Sequence, residues 1–276
     1  MGSVNQGVFM YLDASEWSEH LRKKAQRLEL AHLDVLIDGT LFSESQRESL
    51  AALEPQPLQA LLFERTPEHA SRALGPLLVR LQLGIETHTQ WLNTFTQRSY
   101  KKAGPLNLLS RWAFPELASH LRDCTQAQWS RGTCTGILRY YDSRLFAIVG
   151  FMLDPPQRPY FHAPVIEWLW LSRDGRVRTV VGNPSLPGVI PTSVLSLSDE
   201  QMGYMQAWTL AEQWHLEHRA SDRHGFTAFE DWLNVLFEGH LAVRRECVQD
   251  ADREAFVQQW LATHTPRNML DDGRSS

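Results

Sequence analysis

The chain has 276 residues, of which 43% are hydrophobic and 21% are charged, and its formal net charge is -5. This apolar content offsets the conformational entropy that is lost on folding, which excludes a disordered chain. Nucleic-acid binders need clustered cations, and the sequence has no dense run of lysine and arginine, so we expect no nucleic-acid partner. The unusual feature is the aromatic content, with 10 Trp, 12 Phe and 6 Tyr.

The cysteine count and the apolar segments indicate the compartment. Cys124, Cys134 and Cys247 cannot all be paired in disulfides, which is typical of a reducing environment. No basic segment leads into an apolar segment at the N-terminus, so we expect no signal peptide. The longest apolar stretch, 145–153, is far shorter than the ~20 residues that span a bilayer. We therefore expect a cytoplasmic protein without a membrane partner.

Predicted helices and strands alternate in chain order over the first 190 residues. Helices are predicted at 14–30 (capped by Ser15), 43–53, 67–74, 85–98 and 114–129. Strands are predicted at 32–40, 58–63, 77–83 and 104–112. Residues 135–153 are predicted to form a strand and then a helix after Asp142, and the strands 165–172 and 176–182 flank a hairpin signal at 173–175. This alternation predicts an α/β or α+β lobe with a mixed sheet over residues 1–190.

The pattern changes after residue 182. Prolines and serines mark 183–198 as a linker, which contains Pro184, Pro187 and Pro191. Beyond it we predict helices at 199–219, 227–247 and 252–264, each opened by a capping residue. The prediction for residues 199–276 is therefore an all-helical lobe.

The sequence contains none of the common catalytic motifs. The sequence has no phosphate-binding loop, dinucleotide fingerprint, nucleophile elbow or zinc-protease motif, so we expect no enzyme and no cofactor. The best metal candidate is His215 with His218, followed by Asp222 and His224. The alternative is a polar helix end, and we expect no metal. Cys124 and Cys134 lack the spacing of a ligand pair and are interpreted as buried free thiols.

Four carboxylates lie in or beside predicted strands and have two interpretations. They are Asp34, Asp38, Asp142 and Glu167. Asp142 has Arg139 and Arg144 as sequence neighbours, which favours a scaffold ion pair among these three residues over acid–base catalysis. Asp38 precedes Gly39, and this pair is typical of a turn in which the carboxylate satisfies local backbone groups.

The aromatic residues of the helical lobe also have two interpretations. Their helical spacing favours core packing for any single ring. The lobe nevertheless has many large rings for its size, and rings in excess of the core form exposed patches that mark partner surfaces. As the binding residues we predict Trp208, Trp214, Phe229 and Trp232.

Three stretches carry a family resemblance: LIDGTL (36–41), GPLLVRL (75–81) and LRYYDSR (138–144). In this order they resemble the adaptor and chaperone family of bacterial type VI secretion effectors (Tap/Tec-like), whose pattern includes IDGA, P-hLV-L (h apolar), GIFLRS and hRFYDPR segments. This chain departs at Thr40, Tyr141 and Ser143, and it has NLLSRW (107–112) in place of the fourth segment. The apolar pattern is unchanged. The resemblance covers about residues 33–170.

The resemblance implies a non-catalytic function. Such adaptors bind a cognate toxin effector in the producing cell, help to load it onto the VgrG spike protein, and stay behind when the machine fires. The cognate effector and the VgrG spike protein are therefore the expected partners, and a co-chaperone is a further candidate. The rivals are a metal-dependent or carboxylate-based small-molecule enzyme, using His215, His218 and the acids near Asp142, and an immunity-type protein that binds a toxin.

Overall fold

A computed structural model describes residues 10–187, 194–218 and 225–264. The chain divides into two compact units. The first comprises Met1–Gln128, Thr135–Ala147 and Leu153–Leu195, and the second comprises Trp129–Cys134, Ile148–Met152 and Ser196–Ser276. The two units therefore alternate along the chain between residues 128 and 153. Part of the predicted linker, including Pro191, lies outside the described residues.

The secondary structure follows the predicted succession. In order, the elements up to residue 196 are α1 (Ala14–Arg27), β1 (His32–Ile37), α2 (Glu44–Ala51), β2 (Leu58–Leu61), a 3-10 helix (His69–Leu74), β3 (Leu77–Gln82), α3 (Glu86–Ser99), β4 (Leu106–Leu109), α4 (Phe114–Asp123), β5 (Gln126–Trp129), β6 (Cys134–Ile137), α5 (Ser143–Met152), α6 (Gln157–His162), β7 (Glu167–Leu171), β8 (Val177–Val181) and β9 (Leu195–Ser196). The remaining helices are α7 (Asp199–His218), α8 (Phe229–Arg245) and α9 (Arg253–Thr263). The predicted fold class, an α+β part followed by helices, is confirmed.

The central sheet of the first unit has six strands in the order β2-β3-β1-β4-β7-β8. Each neighbouring pair is antiparallel, as consecutive hairpins and returning helices allow. The strands β7 and β8 form the hairpin predicted from the sequence. Asp34 of β1 lies opposite Arg80 on β3 and Leu108 on β4, so these three side chains share one face of the sheet.

Both faces of this sheet are covered. On one face, Trp17 of α1 and Trp91 of α3 belong to the same buried cluster as Val35 and Val79 of the central strands. On the other face, Trp168 of β7 contacts the rings of Phe146 and Phe161 at centroid distances of 4.8 and 5.9 Å. A sheet that is buried on both sides explains why its strands are continuous apolar runs.

Two local predictions are corrected by the structure, and one helix has no predicted counterpart. The predicted helix 114–129 ends at Asp123, because the Thr125 hydroxyl donates to the carbonyl of Arg122 and the next residues form β5. Asp13, not Ser15, caps α1 by accepting from the backbone N–H groups of Ser15 and Glu16. The helix α6 was not predicted.

Candidate binding surface

The predicted scaffold residues lie at the carboxyl end of β1. Asp38 Oδ1 accepts from the backbone N–H and the hydroxyl of Thr40, at 2.9 and 2.7 Å. Arg144 donates two hydrogen bonds to Asp142, at 2.9 and 2.7 Å. Arg139 lies 2.8 Å from Asp38 and 3.7 Å from Asp142. Arg139, which was expected to belong to an ion pair with Asp142 and Arg144, therefore also joins the end of β1 to the segment before α5.

Gly39 allows the backbone after β1 to lie close to the backbone at Gly75. A Cβ atom on residue 39 would lie 2.1 Å from the carbonyl oxygen of Gly75, which no side chain tolerates. A cavity of about 450 Å³ lies beside the turn, with Asp38, Arg98 and Ser143 among its lining residues. The turn is thus fixed by packing as well as by the predicted Asp38 hydrogen bonds.

The other two carboxylates are also paired with cations. Asp34 is completely buried and accepts hydrogen bonds of 2.7 and 2.8 Å from Arg80, which also donates to the carbonyl of Trp112 at 3.0 Å. Glu167 forms an ion pair with Lys24. These contacts give each carboxylate a structural partner, as burial of a charge requires.

The predicted metal candidates have aromatic neighbours. The ring of His215 lies 4.6 Å from that of Phe229, and the ring of His218 stacks on Trp214 at 4.2 Å. Asp222 and His224 lie outside the described residues. Among the residues that the structure describes, no group of three or more His, Cys, Asp or Glu side chains is arranged to hold a metal ion.

The three cysteines differ in exposure and are all free. Cys124 is buried, Cys134 is half-buried and Cys247 is exposed. Burial raises the pKa of the Cys124 thiol well above its ordinary value, so this thiol is uncharged at neutral pH. The interpretation of Cys124 as a buried thiol agrees with its position, whereas Cys134 is only partly covered.

Most of the rings predicted to bind a partner lie inside the helical unit. Trp208, Phe229 and Trp232 are buried, and Trp232 is only 1% exposed. Trp208 packs edge-on against Phe237 at 5.8 Å. Trp214 is half-buried. Three of the four rings predicted to bind a partner therefore lie in the core, as the helical spacing favours for any single ring.

Two grooves with apolar lining lie among the described residues of the helical unit. One, which we call the Tyr204 groove, measures about 750 Å³ and is lined by aromatic and charged side chains that include Phe151, Tyr204, Trp260 and Arg245. Phe151 is 61% exposed and lies edge-on to Tyr204 at a centroid distance of 5.4 Å. The spacing of α8 predicts its buried face, but nothing in the sequence assigns Phe151 of α5 to the same groove.

The second groove, which we call the Met205 groove, measures about 700 Å³. Its apolar lining includes Met202, Met205 and Leu210 of α7 and Val243 of α8, and Arg253 at the start of α9 also lines it. No pattern in the sequence places the two methionines in a groove. Met side chains adapt to irregular surfaces, which suits contact with another polypeptide.

The fold therefore defines a chain with an antiparallel α+β unit and a helical unit that carries two apolar grooves. A family model described as "Domain of unknown function (DUF4123)" matches residues 35–160. This match begins in β1, ends in α6 and includes all three stretches that carry the resemblance. No curated protein and no solved structure matches the chain. Among the described residues, no helix has both the length and the apolar character needed to cross a membrane.

Proposed function

We propose that this chain is a non-catalytic adaptor that binds a type VI secretion effector in the cytoplasm of the producing cell and assists its loading onto the VgrG spike protein. The observation that carries the proposal is the family match over residues 35–160, because it includes the three stretches in which this chain resembles the adaptors of type VI effectors. The IDGT and RYYDSR segments supply its scaffold, in which Arg139 connects Asp38 and Asp142.

The helical unit supports a binding function. Its two grooves lie outside the matched residues 35–160 apart from Phe151, and their lining is largely apolar. An adaptor needs such a surface, because an effector with apolar segments stays in solution only while a partner covers them. We therefore assign the shared scaffold to the first unit and effector recognition to the second.

The test is co-purification with the protein encoded beside the chain in a type VI secretion gene cluster. The intact chain and the intact effector are produced together, and the effector is then shortened from either end. An adaptor retains the region used for delivery and releases the isolated toxin domain. An immunity protein gives the opposite result, and an enzyme captures neither region. Retention of the toxin domain alone, or of nothing, contradicts the proposal.

Metal analysis separates the adaptor from the metal-dependent rival. We expect less than stoichiometric metal in the purified chain, and no change in effector capture after treatment with a chelator. A bound metal that is removed together with effector capture would favour the metal-site interpretation of His215 and His218. Substitution of His218 by Gln then decides whether that residue holds the metal.

A further inference from the structure

The Met205 groove contains a buried polar group without a partner. His240 of α8 lines the groove and is 5% exposed, and neither ring nitrogen has a hydrogen-bond partner among the described residues. A neutral imidazole carries one donor and one acceptor, and leaving both unsatisfied in the interior costs free energy. A carboxylate that enters the groove would accept from the donor nitrogen.

A cation lines the same groove as this histidine. Burial lowers the pKa of His240 to about 4, and the charge of Arg253, which lines the same groove, contributes to the lowering. Arg253 donates to Asp250 at 2.6 Å through one terminal nitrogen, while its buried Nε has no hydrogen-bond partner in the described part of the chain. The groove is thus lined by a second residue with an unsatisfied donor.

The lining has one sign of charge. Arg244 and Arg253 line the groove, and no carboxylate is among its described lining residues. Arg244 reaches across α7 because residue 203 is glycine; a Cβ there would lie 2.7 Å from the guanidinium. Its terminal nitrogens donate to Gln206 and to the carbonyl of Asp199. A groove with cationic walls and an apolar floor is complementary to an acidic, apolar segment.

The surrounding elements favour a helical occupant. The groove is lined by α7, α8, the segment that follows α8 and the start of α9, and no described strand residue lines it. An extended peptide would find no strand edge to satisfy its backbone, whereas a helix satisfies its own. The volume of about 700 Å³ accommodates several side chains of one helix face.

We propose that the Met205 groove binds an amphipathic helical segment of the partner, with aliphatic side chains against Met202 and Met205 and a carboxylate that accepts from Arg253 and His240. This inference rests on the proposed adaptor function, since the effector would supply the segment. The groove recognises the segment by its acidic, aliphatic chemistry and not by an extended backbone.

The experiment measures the binding of two synthetic fluorescent peptides of about 18 residues to the full chain by fluorescence polarisation. They share one leucine face, and the polar face carries glutamate in one peptide and lysine in the other. We expect the acidic peptide to bind at least about tenfold more tightly than the basic one. We expect Met205→Glu to abolish this binding and Arg253→Gln to weaken it at least about fivefold.

The matched control is Gln213→Glu, which adds the same charge to an exposed position of α7 outside the groove and should bind like the original chain. Circular dichroism checks the fold, and Arg253→Gln remains informative if Met205→Glu does not fold. Equal affinity for both peptides, no binding, or unchanged binding by a folded Met205→Glu or Arg253→Gln variant would overturn the proposal.

Other occupants of the groove give different outcomes. Peptide binding that begins only after residues 265–276 are removed assigns the groove to the chain's own C-terminal segment. If the original chain forms a dimer and Met205→Glu abolishes it, the groove is assigned to a second copy of the chain. Either result overturns the inference. Capture of the intact effector is measured separately. If Met205→Glu captures the effector as well as the original chain does, the role of the groove is refuted but the adaptor function is not. If the chain binds the peptide but does not capture the effector, the adaptor function is refuted.

Discussion

The buried pair of Asp34 and Arg80 allows the most quantitative prediction. The Asp34 carboxylate is fully buried, the Arg80 side chain is 7% exposed, and two hydrogen bonds join them. Asp34→Asn removes the negative charge and replaces one of the two carboxylate acceptors by an NH2 donor, which leaves the guanidinium in the interior with only neutral acceptors, the new amide oxygen and the carbonyl of Trp112. Breaking a buried pair in this way costs about 3–5 kcal/mol. We therefore expect Asp34→Asn to lower the free energy of unfolding by about 3 kcal/mol.

A double variant, Asp34→Leu with Arg80→Met, separates the cost of an unpaired charge from the value of the pair. Replacing both charges by apolar side chains is often neutral, so the double variant should be at least about 2 kcal/mol more stable than Asp34→Asn. Urea unfolding is followed by circular dichroism and tryptophan fluorescence. The control, Glu19→Gln, breaks an exposed pair with Arg22 and should leave the midpoint unchanged. A loss below about 1 kcal/mol for Asp34→Asn would refute the reasoning.

Three further predictions concern stability. Burial lowers the pKa of His162 to about 4, so between pH 6.5 and pH 4 the unfolded chain binds a proton that the native chain does not. The free energy of unfolding should therefore fall by up to about 3 kcal/mol as the pH drops over this range. His162→Leu should flatten the pH dependence of the urea midpoint. Gly39→Ala should lower the free energy of unfolding by about 1–3 kcal/mol, because the new Cβ meets the Gly75 carbonyl. Gly150→Ala in α5, where a Cβ has open space, should raise it by up to about 1 kcal/mol. Thermal unfolding measures both variants, and equal effects would contradict the packing account. Trp232→Ala should lower the free energy of unfolding by about 3–5 kcal/mol, because Trp232 is a core residue. Leu216→Ala should have no measurable effect, because Leu216 is 70% exposed. A folded Trp232→Ala variant of unchanged stability would contradict the assignment of Trp232 to the core.

Much of the fold could be predicted because its signals are local. The strands β1, β3 and β7 are apolar runs that end at glycine, proline or charged turns, and sequence patterns report such features directly. The hairpin of β7 and β8 was marked by its turn residues. The error at the end of α4 has a local cause as well, since apolar residues continue at helical spacing into the segment that forms β5.

The candidate site could be predicted only in part, because burial is decided by tertiary contacts. Trp232 and Trp214 look alike in the sequence, but one lies in the core and the other is half-buried. The spacing of α8 indicated an apolar face without indicating how much of it α7 covers. The pairing of Arg139 with Asp38 joins residues about a hundred positions apart, and no local pattern reports such a contact.

The most direct measurement of the central claim is effector secretion from a cell that lacks this chain. If the chain is an adaptor, its deletion should abolish secretion of the cognate effector while the VgrG spike protein is still released, and the chain itself should remain in the producing cell. Restoring the chain should restore secretion. Undiminished effector secretion in the deletion strain, or release of the chain together with the spike, would contradict the account.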